Sequence, residues 1–194
     1  MRTMTRLAAS VALGAALLPL HAAEVKRPSP PLTINLAPSG QIQLDNFKGK
    51  VVLLEFLSTT CPHCQNASQI MERLYKEYGP RGFQPVGAAF NEMSHMLVAD
   101  YVKQFKLSYP VGYVSRDTVM QYLKRSPMLR MSVPQLVFVD RNGVIRQHID
   151  STVNEQFFMD EEKNMRTVIE ALLKESAEAP KPAAKKKTTA KKSS

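Results

Sequence analysis

A short apolar run, VVLLEF at residues 51–56, leads directly to the only two cysteines of the 194-residue chain, Cys61 and Cys64. The run does not alternate polar and apolar residues, which is typical of a strand buried on both faces. After Pro62, apolar residues recur with helical spacing until Gly79 and Pro80 end the pattern. The sequence therefore predicts that both cysteines lie where a buried strand passes into a helix.

Two cysteines three positions apart allow a structural disulfide, part of a metal site, or a working redox pair. A bridge between them would close a very small loop, which adds little stability, and a chain of this length does not need one. Zinc would need four ligands, and only scattered histidines could complete the set: His21, His63, His95 and His148. We favour the redox pair, assign no metal and no cofactor, and interpret His95 and His148 as surface or internally satisfied side chains.

Cys61 and Cys64 would have different roles at such a junction. Pro62 suits the first helical turn, where its missing N–H is not needed, and the positive end of the helix would favour the thiolate of Cys61. His63 adds a donor that can become cationic and favour this thiolate further. Cys64 lies one turn deeper and can attack a mixed disulfide formed at Cys61. We expect Cys61 to be the nucleophile and Cys64 the resolving thiol.

Glu55 is the one charged residue in the apolar run. A buried carboxylate is unfavourable without a partner or a task, and burial raises its pKa towards neutrality. We expect Glu55 to accept a proton from Cys64 through water. The alternative is a carboxylate at the margin of the strand that pairs with Lys48 or Lys50.

The middle of the chain predicts one α/β domain in which a central mixed sheet is flanked by helices. Alternating segments at 32–36 and 41–44 predict an N-terminal β-hairpin, and the turn RNG at 141–143 predicts a second hairpin. The other predicted strands are 83–89, 136–140 and 144–149, with a short extended piece at 109–114, and the later helices are 96–105, 117–124 and 155–174.

A second motif, SVPQLVF at 132–138, places Pro134 at the start of a strand, a sheet position that proline tolerates. FKGKVVLLEFLSTTCPHC and VPQLVFVDRNGVI together resemble the thioredoxin superfamily, most closely its exported TlpA/ResA-type thiol-disulfide oxidoreductases. The resemblance covers about residues 32–175. It implies a thioredoxin fold, a cis Val133–Pro134 bond that faces the cysteines, and backbone there that pairs with substrate chains as an added strand.

Two details bear on the direction of electron flow. Thr60 stands where the family usually has tryptophan, so we expect an altered surface around Cys61. Pro62 and His63 resemble the pair in DsbA-type disulfide oxidases, whereas the scaffold favours reduction of particular envelope proteins, such as apocytochromes. The direction therefore stays open. The expected catalytic residues are Cys61, Cys64, His63, Glu55 and Pro134, and the expected substrate contacts are Thr60, Pro62 and Val133.

Two other functions would use the same cysteines. A peroxiredoxin-like peroxidase would have the spacing PxxxTxxC; Ser58 fits its second position, but Leu54 replaces the proline. A carrier could instead hold Cu(I) on the soft thiolates of Cys61 and Cys64, with help from His63.

Residues 1–23 have the form of a secretory signal peptide, with a basic start, an apolar run and small residues before Glu24. The run at 7–20 is shorter than the roughly 20 residues that span a bilayer. We expect cleavage near Glu24, a short linker at 24–31, and a periplasmic location, or a membrane tether if the leader is kept. Export would place the cysteines in an oxidising compartment, with cysteine-containing envelope proteins and a redox protein as partners.

The net charge of +9 is concentrated at the two ends of the chain. Eight of the 26 basic residues lie in 1–23 and 180–194, which hold no acid, so the middle has 18 bases against 17 acids. A nearly neutral domain argues against nucleic-acid binding. We expect the Lys/Ala/Pro-rich segment 176–194 to be disordered, and weak contact with an anionic membrane or envelope polymer is its functional alternative.

Overall fold

A computed structural model describes residues 26–175, in which eight strands form one mixed sheet. The predicted signal peptide (1–23) and tail (176–194) lie outside the described residues. The strands are β1 (Arg27–Pro28), β2 (Thr33–Asn35), β3 (Gln41–Gln43), β4 (Val51–Leu57), β5 (Phe83–Ala89), β6 (Val111–Tyr113), β7 (Gln135–Val139) and β8 (Val144–Asp150). The helices are α1 (Pro62–Tyr78), α2 (Ser94–Phe105), α3 (Arg116–Leu123), α4 (Glu155–Met159) and α5 (Glu161–Lys174). The predicted α/β class with a central mixed sheet is confirmed.

Strand β4 lies at the centre of the sheet, parallel to β5 and antiparallel to β7, within the order β1-β8-β7-β4-β5-β6-β2-β3. All seven of its residues are buried, as the apolar run predicted. Leu53 and Leu57 belong to the core formed with α1, α2 and α5, while Leu54 and Phe56 belong to the core on the α3 side. Because strand side chains alternate between faces, Glu55 points to the same face as Leu53, beneath α1.

Local sequence signals placed most of these elements correctly. The predicted N-terminal hairpin is the β2–β3 pair, in which Ile34 lies opposite Ile42. The turn at 141–143 joins the antiparallel strands β7 and β8. Helix α1 begins at Pro62 and β5 has the predicted bounds, while α2, α3 and β7 begin one or two residues earlier than predicted.

The prediction of one helix over 155–174 is wrong, because the segment forms two helices. Asp160 has non-helical backbone angles (φ −137°, ψ 58°) and separates α4 from α5. Asn164 donates its side-chain amide to the Phe157 carbonyl and its backbone N–H to the Asp160 carbonyl, so the break keeps its hydrogen bonds. Phe157 packs on the core, and Glu161, the first residue of α5, is buried.

The linker predicted at 24–31 also needs correction, because β1 lies within it. Arg27 and Pro28 pair with Ile145 and Val144 at the edge of β8. The Arg27 guanidinium donates to the Tyr122 carbonyl at 2.9 Å, which attaches this segment to α3. Most of the segment therefore belongs to the folded domain.

Gly112 in β6 permits the close approach of β6 to the neighbouring strand β2 of the hairpin. A Cβ there would overlap the Asn35 carbonyl oxygen and lie 2.6 Å from Ile34 Cγ2. We predict that Gly112→Ala lowers the free energy of unfolding by about 1–3 kcal/mol in urea titrations, since the hairpin backbone must move. The control is Gly79→Ala, whose Cβ would meet only the side chain of Tyr75, at 3.1 Å. Equal stability of the two variants would contradict this account.

Candidate redox site

Cys61 occupies the N-cap position of α1, with extended backbone, and Pro62 follows in the first turn. Its side chain is half-buried. The first N–H groups of a helix have no intrahelical partner and give that end a positive partial charge. The sulfur of Cys61 is therefore partly exposed at the end of α1 where the helix dipole is positive. The predicted strand-to-helix junction is confirmed.

The loop before Cys61 is fixed by an asparagine that the sequence analysis missed. Asn91, after β5, accepts the Thr59 N–H at 3.0 Å and donates its side-chain amide to Thr59 Oγ1 at 3.1 Å. Thr60 is exposed, and its hydroxyl lies 3.1 Å from that of Ser58. These contacts hold the backbone that leads into α1.

Cys64 lies one turn further along α1 and is fully buried. Burial raises the pKa of its thiol well above the usual range, and the charges of Glu55 and Cys61 raise it further. Both cysteines are free thiols. The pair therefore combines an accessible sulfur with a buried sulfur that retains its proton.

The Val133–Pro134 peptide bond is cis, as the resemblance implied, and it faces the cysteines. Cys61 Sγ lies 3.8 Å from the Val133 carbonyl oxygen. Pro134 is buried, while Pro62 and His63 are exposed. Of the predicted site residues, Val133 thus contacts Cys61 across the site, Pro134 follows it in the chain, and Pro62 and His63 come directly after Cys61 on the helix.

Glu55 is fully buried, and its Oε2 accepts a 2.7 Å hydrogen bond from the hydroxyl of Ser68. Burial raises the pKa of Glu55 to about 8; the Ser68 hydrogen bond opposes the shift, and the charge of Glu161 adds to it. The alternative pairing with lysine is wrong, because Lys48 pairs with Asp45 and Lys50 donates to Gln84.

Two tyrosines extend the polar contacts beneath Cys64. The Tyr101 hydroxyl lies 2.9 Å from Ser68 Oγ and 3.3 Å from the Cys64 carbonyl oxygen. The Tyr109 hydroxyl donates to the Ser68 carbonyl at 3.2 Å. Burial raises the pKa of both phenols, so they stay neutral donors. Ser68 was missed in the sequence, although its position four residues after Cys64 puts it on the same side of the helix.

A second network supports the segment that carries Pro134. Gln135 lies 2.7 Å from His148 Nε2 across the β7–β8 pair and donates to the Ser132 carbonyl at 2.9 Å. Ser132 donates to Asp150, which forms an ion pair with Arg125 at 2.6 Å. The interpretation of His148 as an internally satisfied histidine is confirmed. This network depends on strand register, which the local sequence does not reveal.

Within residues 26–175, no three histidine, cysteine, aspartate or glutamate side chains lie close enough together to form a metal site. A Cu(I) carrier would therefore have to rely on the thiolates of Cys61 and Cys64.

Comparison with known proteins connects this geometry to thiol chemistry. Residues 25–148 match the model of the AhpC/TSA family. Thiol-disulfide oxidoreductase ResA of Bacillus thuringiensis subsp. konkukian is 26% identical over 126 residues, which are 65% of this chain and 69% of that protein.

Solved structures show the same fold. The thiol:disulfide interchange protein DsbE from Chlorobium tepidum superposes with a TM-score of 0.63 at 17% identity, covering 77% of this chain and 98% of that chain. A thioredoxin-family thiol:disulfide interchange protein from Chlorobium tepidum TLS gives 0.62 at 22% identity, covering 76% and 97%. The thioredoxin fold expected from the sequence is confirmed.

The burial of Glu55 predicts a stability that depends on pH. Its pKa rises from 4.5 to about 8 on folding, so the stabilising contribution of the protonated acid is complete below pH 4.5 and is lost as pH rises through 8. We predict that Glu55→Gln raises the free energy of unfolding at pH 9 by about 2–5 kcal/mol and changes it little at pH 4.5, as measured by urea titration. The exposed residue Glu92 provides the control, Glu92→Gln, which should show no such pH dependence. A gain at pH 9 that is no larger than the gain at pH 4.5 would contradict the prediction.

Proposed function

We propose, because this chain belongs to the AhpC/TSA family, that it is a thiol-disulfide oxidoreductase that exchanges disulfides with protein cysteines through Cys61 and Cys64. One observation carries the proposal: an accessible thiol at a helix N-terminus lies above a buried thiol and a buried carboxyl group. The names of the related oxidoreductase and interchange proteins agree with this activity.

The first step forms a mixed disulfide. The Cys61 thiolate attacks one sulfur of a client disulfide, a bond forms between them, and the other client sulfur leaves as a thiolate. The positive end of α1 stabilises the attacking thiolate. His63, exposed in the first turn, is a candidate for the same role when it is protonated.

The second step releases the client. Cys64 gives its proton to the Glu55 carboxylate and attacks the Cys61 sulfur, so the Cys61–Cys64 disulfide forms and the client sulfur leaves as a thiolate. Formation of the mixed disulfide has already removed the negative charge of Cys61, which is one cause of the raised pKa of Cys64. The client gains two electrons, and the enzyme dithiol becomes a disulfide. Run in reverse, the same steps oxidise a client dithiol.

Client binding is assigned to the surface around the Cys61 sulfur. The Val133 carbonyl lies 3.8 Å from that sulfur and is positioned to pair with an extended client segment. Thr60 and Pro62 are exposed beside it and would contact the residues that flank the client cysteine. Because Thr60 is smaller than the tryptophan usual at this position in the family, the surface beside Cys61 would have room for a bulky client side chain.

We place the reaction in the cell envelope, on the basis of the leader-like segment 1–23. The clients would be envelope proteins with cysteines, and a second redox protein would restore the starting state. In residues 26–175, no helix is both long and apolar enough to cross a bilayer. The reduction potential of the pair, measured against glutathione, determines which direction prevails in that compartment.

Cysteine variants test the order of the two steps. With a peptide disulfide as the probe, we predict that Cys61→Ser abolishes exchange, while Cys64→Ser accumulates a mixed disulfide with the peptide. Non-reducing gels and mass spectrometry would detect that adduct. Accumulation in Cys61→Ser, or full turnover without Cys64, would overturn the assignment of roles; near-ultraviolet circular dichroism would confirm that both variants fold.

Membership in the AhpC/TSA family also favours a second candidate, a peroxidase. The structure weakens it, because Leu54 replaces the expected proline and packs in the core on the α3 side, away from the cysteines. We predict that the reduced enzyme consumes hydrogen peroxide no faster than Cys61→Ser plus an equal amount of a simple thiol. Peroxide turnover well above that reference would establish the peroxidase instead.

A further inference from the structure

A second buried carboxyl group lies close to the redox site. Glu161 begins α5 and is only 8% exposed. Its Oε2 accepts a 2.9 Å hydrogen bond from the side-chain amide of Asn66, an exposed residue of α1 between Cys64 and Ser68. Its Oε1 is buried and has no hydrogen-bond partner among the described residues.

Glu55 has the same unusual feature. Its Oε1 is buried without a partner in residues 26–175, while Ser68 satisfies its Oε2. Buried carboxyl oxygens are nearly always hydrogen-bonded, so two such atoms in one region require an explanation. The negative charge of Glu161 raises the pKa of Glu55, so the two groups interact electrostatically. Burial raises the pKa of Glu161 itself to about 7.

The groups that face this pair are mostly acids or neutral donors. Glu55 faces Cys64 and Ser68 of α1, Tyr101 of α2 and Tyr109 before β6, and Glu161 faces Asn66 of α1. Of the neighbouring charges on α5, Glu162 pairs with Arg73 and Lys163 with Asp160. In the described part of the chain, no lysine or arginine contributes to the pKa shifts of Glu55 and Glu161.

We propose that Glu161 is a positioning residue for the exchange reaction: with Glu55 it forms a coupled carboxyl pair that makes Glu55 a better base and carries the proton of Cys64 towards the surface. This inference rests on the proposed role of Glu55. Ser68 and Asn66, which bond to Glu55 and Glu161, lie two residues apart on α1, so a negative Glu161 disfavours a second negative charge nearby and favours proton uptake by Glu55.

The proton balance follows the second step of exchange. Cys64 loses its proton to Glu55, and the resulting thiolate forms the bond to Cys61 as the Cys61–client bond breaks. Protonated Glu55 then passes the proton towards the buried carboxylate of Glu161, which is hydrogen-bonded to the exposed residue Asn66 of α1 and can release the proton to water on that side. Glu55 returns to its starting state for the next cycle.

A disulfide reagent separates the two chemical steps. Reduced enzyme reacts with 5,5′-dithiobis(2-nitrobenzoate) in a first phase, in which Cys61 attacks and releases one coloured thiolate. Attack by Cys64 on the mixed disulfide releases the second. Stopped-flow absorbance between pH 5 and pH 9 gives both rates on the intact protein, and the rise of the second rate with pH reports the ionisation of Glu55.

We expect Glu161→Gln to move the midpoint of this rise to lower pH by about one unit, because Glu55 loses a negative neighbour. The first phase should not change. The amide oxygen introduced by Glu161→Gln can still accept the hydrogen bond from Asn66, and Glu161→Asp, which keeps the charge, should remain near the wild-type midpoint. The matched control, Glu162→Gln, removes the adjacent charge, which faces Arg73 instead, and should leave both phases unaltered.

The variant Glu55→Gln distinguishes a failure of the inference about Glu161 from a failure of the proposed role of Glu55. If it removes the rise of the second rate while Glu161→Gln leaves the midpoint at the wild-type value, the inference about Glu161 is wrong and the proposed function stands. If Glu55→Gln keeps the wild-type rise, the proposed role of Glu55 is wrong, and the carboxyl pair with it. A midpoint that moves equally in Glu161→Gln and Glu162→Gln would indicate a general charge effect and would also overturn the inference.

Discussion

The site depends on one constraint, the burial of an acid in the central strand directly beneath the helix that carries both cysteines. Strand β4 is covered on both faces, so Glu55 meets no bulk water and its pKa rises to about 8. A neutral acid can be buried where a carboxylate would be strongly unfavourable. The same burial keeps the proton on Cys64, so this thiol needs a base beneath the surface before it can react as a thiolate.

The helix start then separates the two sulfurs by function. The three-residue spacing puts Cys61 at the cap, where donors and solvent meet, and Cys64 one turn inside, against the core. Neither sulfur could do the work of the other, because the cap is reachable by a large client and the interior is not. The network of Gln135, Ser132 and Asp150 holds the opposite wall, so the Val133 carbonyl remains beside Cys61.

Much of this arrangement could be predicted from the sequence, because it follows from local patterns. The apolar run, Pro62 and the turn residues specify a strand, a helix start and hairpins through the backbone preferences of a few neighbouring residues. Glu161 could not be found in this way, because a charged residue at helical spacing gives no sign of burial. Its position follows from the break at Asp160, which is stabilised by a hydrogen bond from Asn164 to Phe157 and by the docking of α5 on α1. The pairing of Gln135 with His148 likewise depends on register between two strands.

The docking of α5 therefore has a chemical consequence as well as a structural one. Exposed ion pairs such as Arg73–Glu162 contribute about 0–1 kcal/mol each, so they cannot by themselves fix the position of the helix. Met165, Ile169 and Leu172 are buried in the core shared with α1, and their burial holds Glu161 against Asn66. Since the charge of Glu161 acts on Glu55, the packing of the last helix influences the basicity of a group at the centre of the sheet.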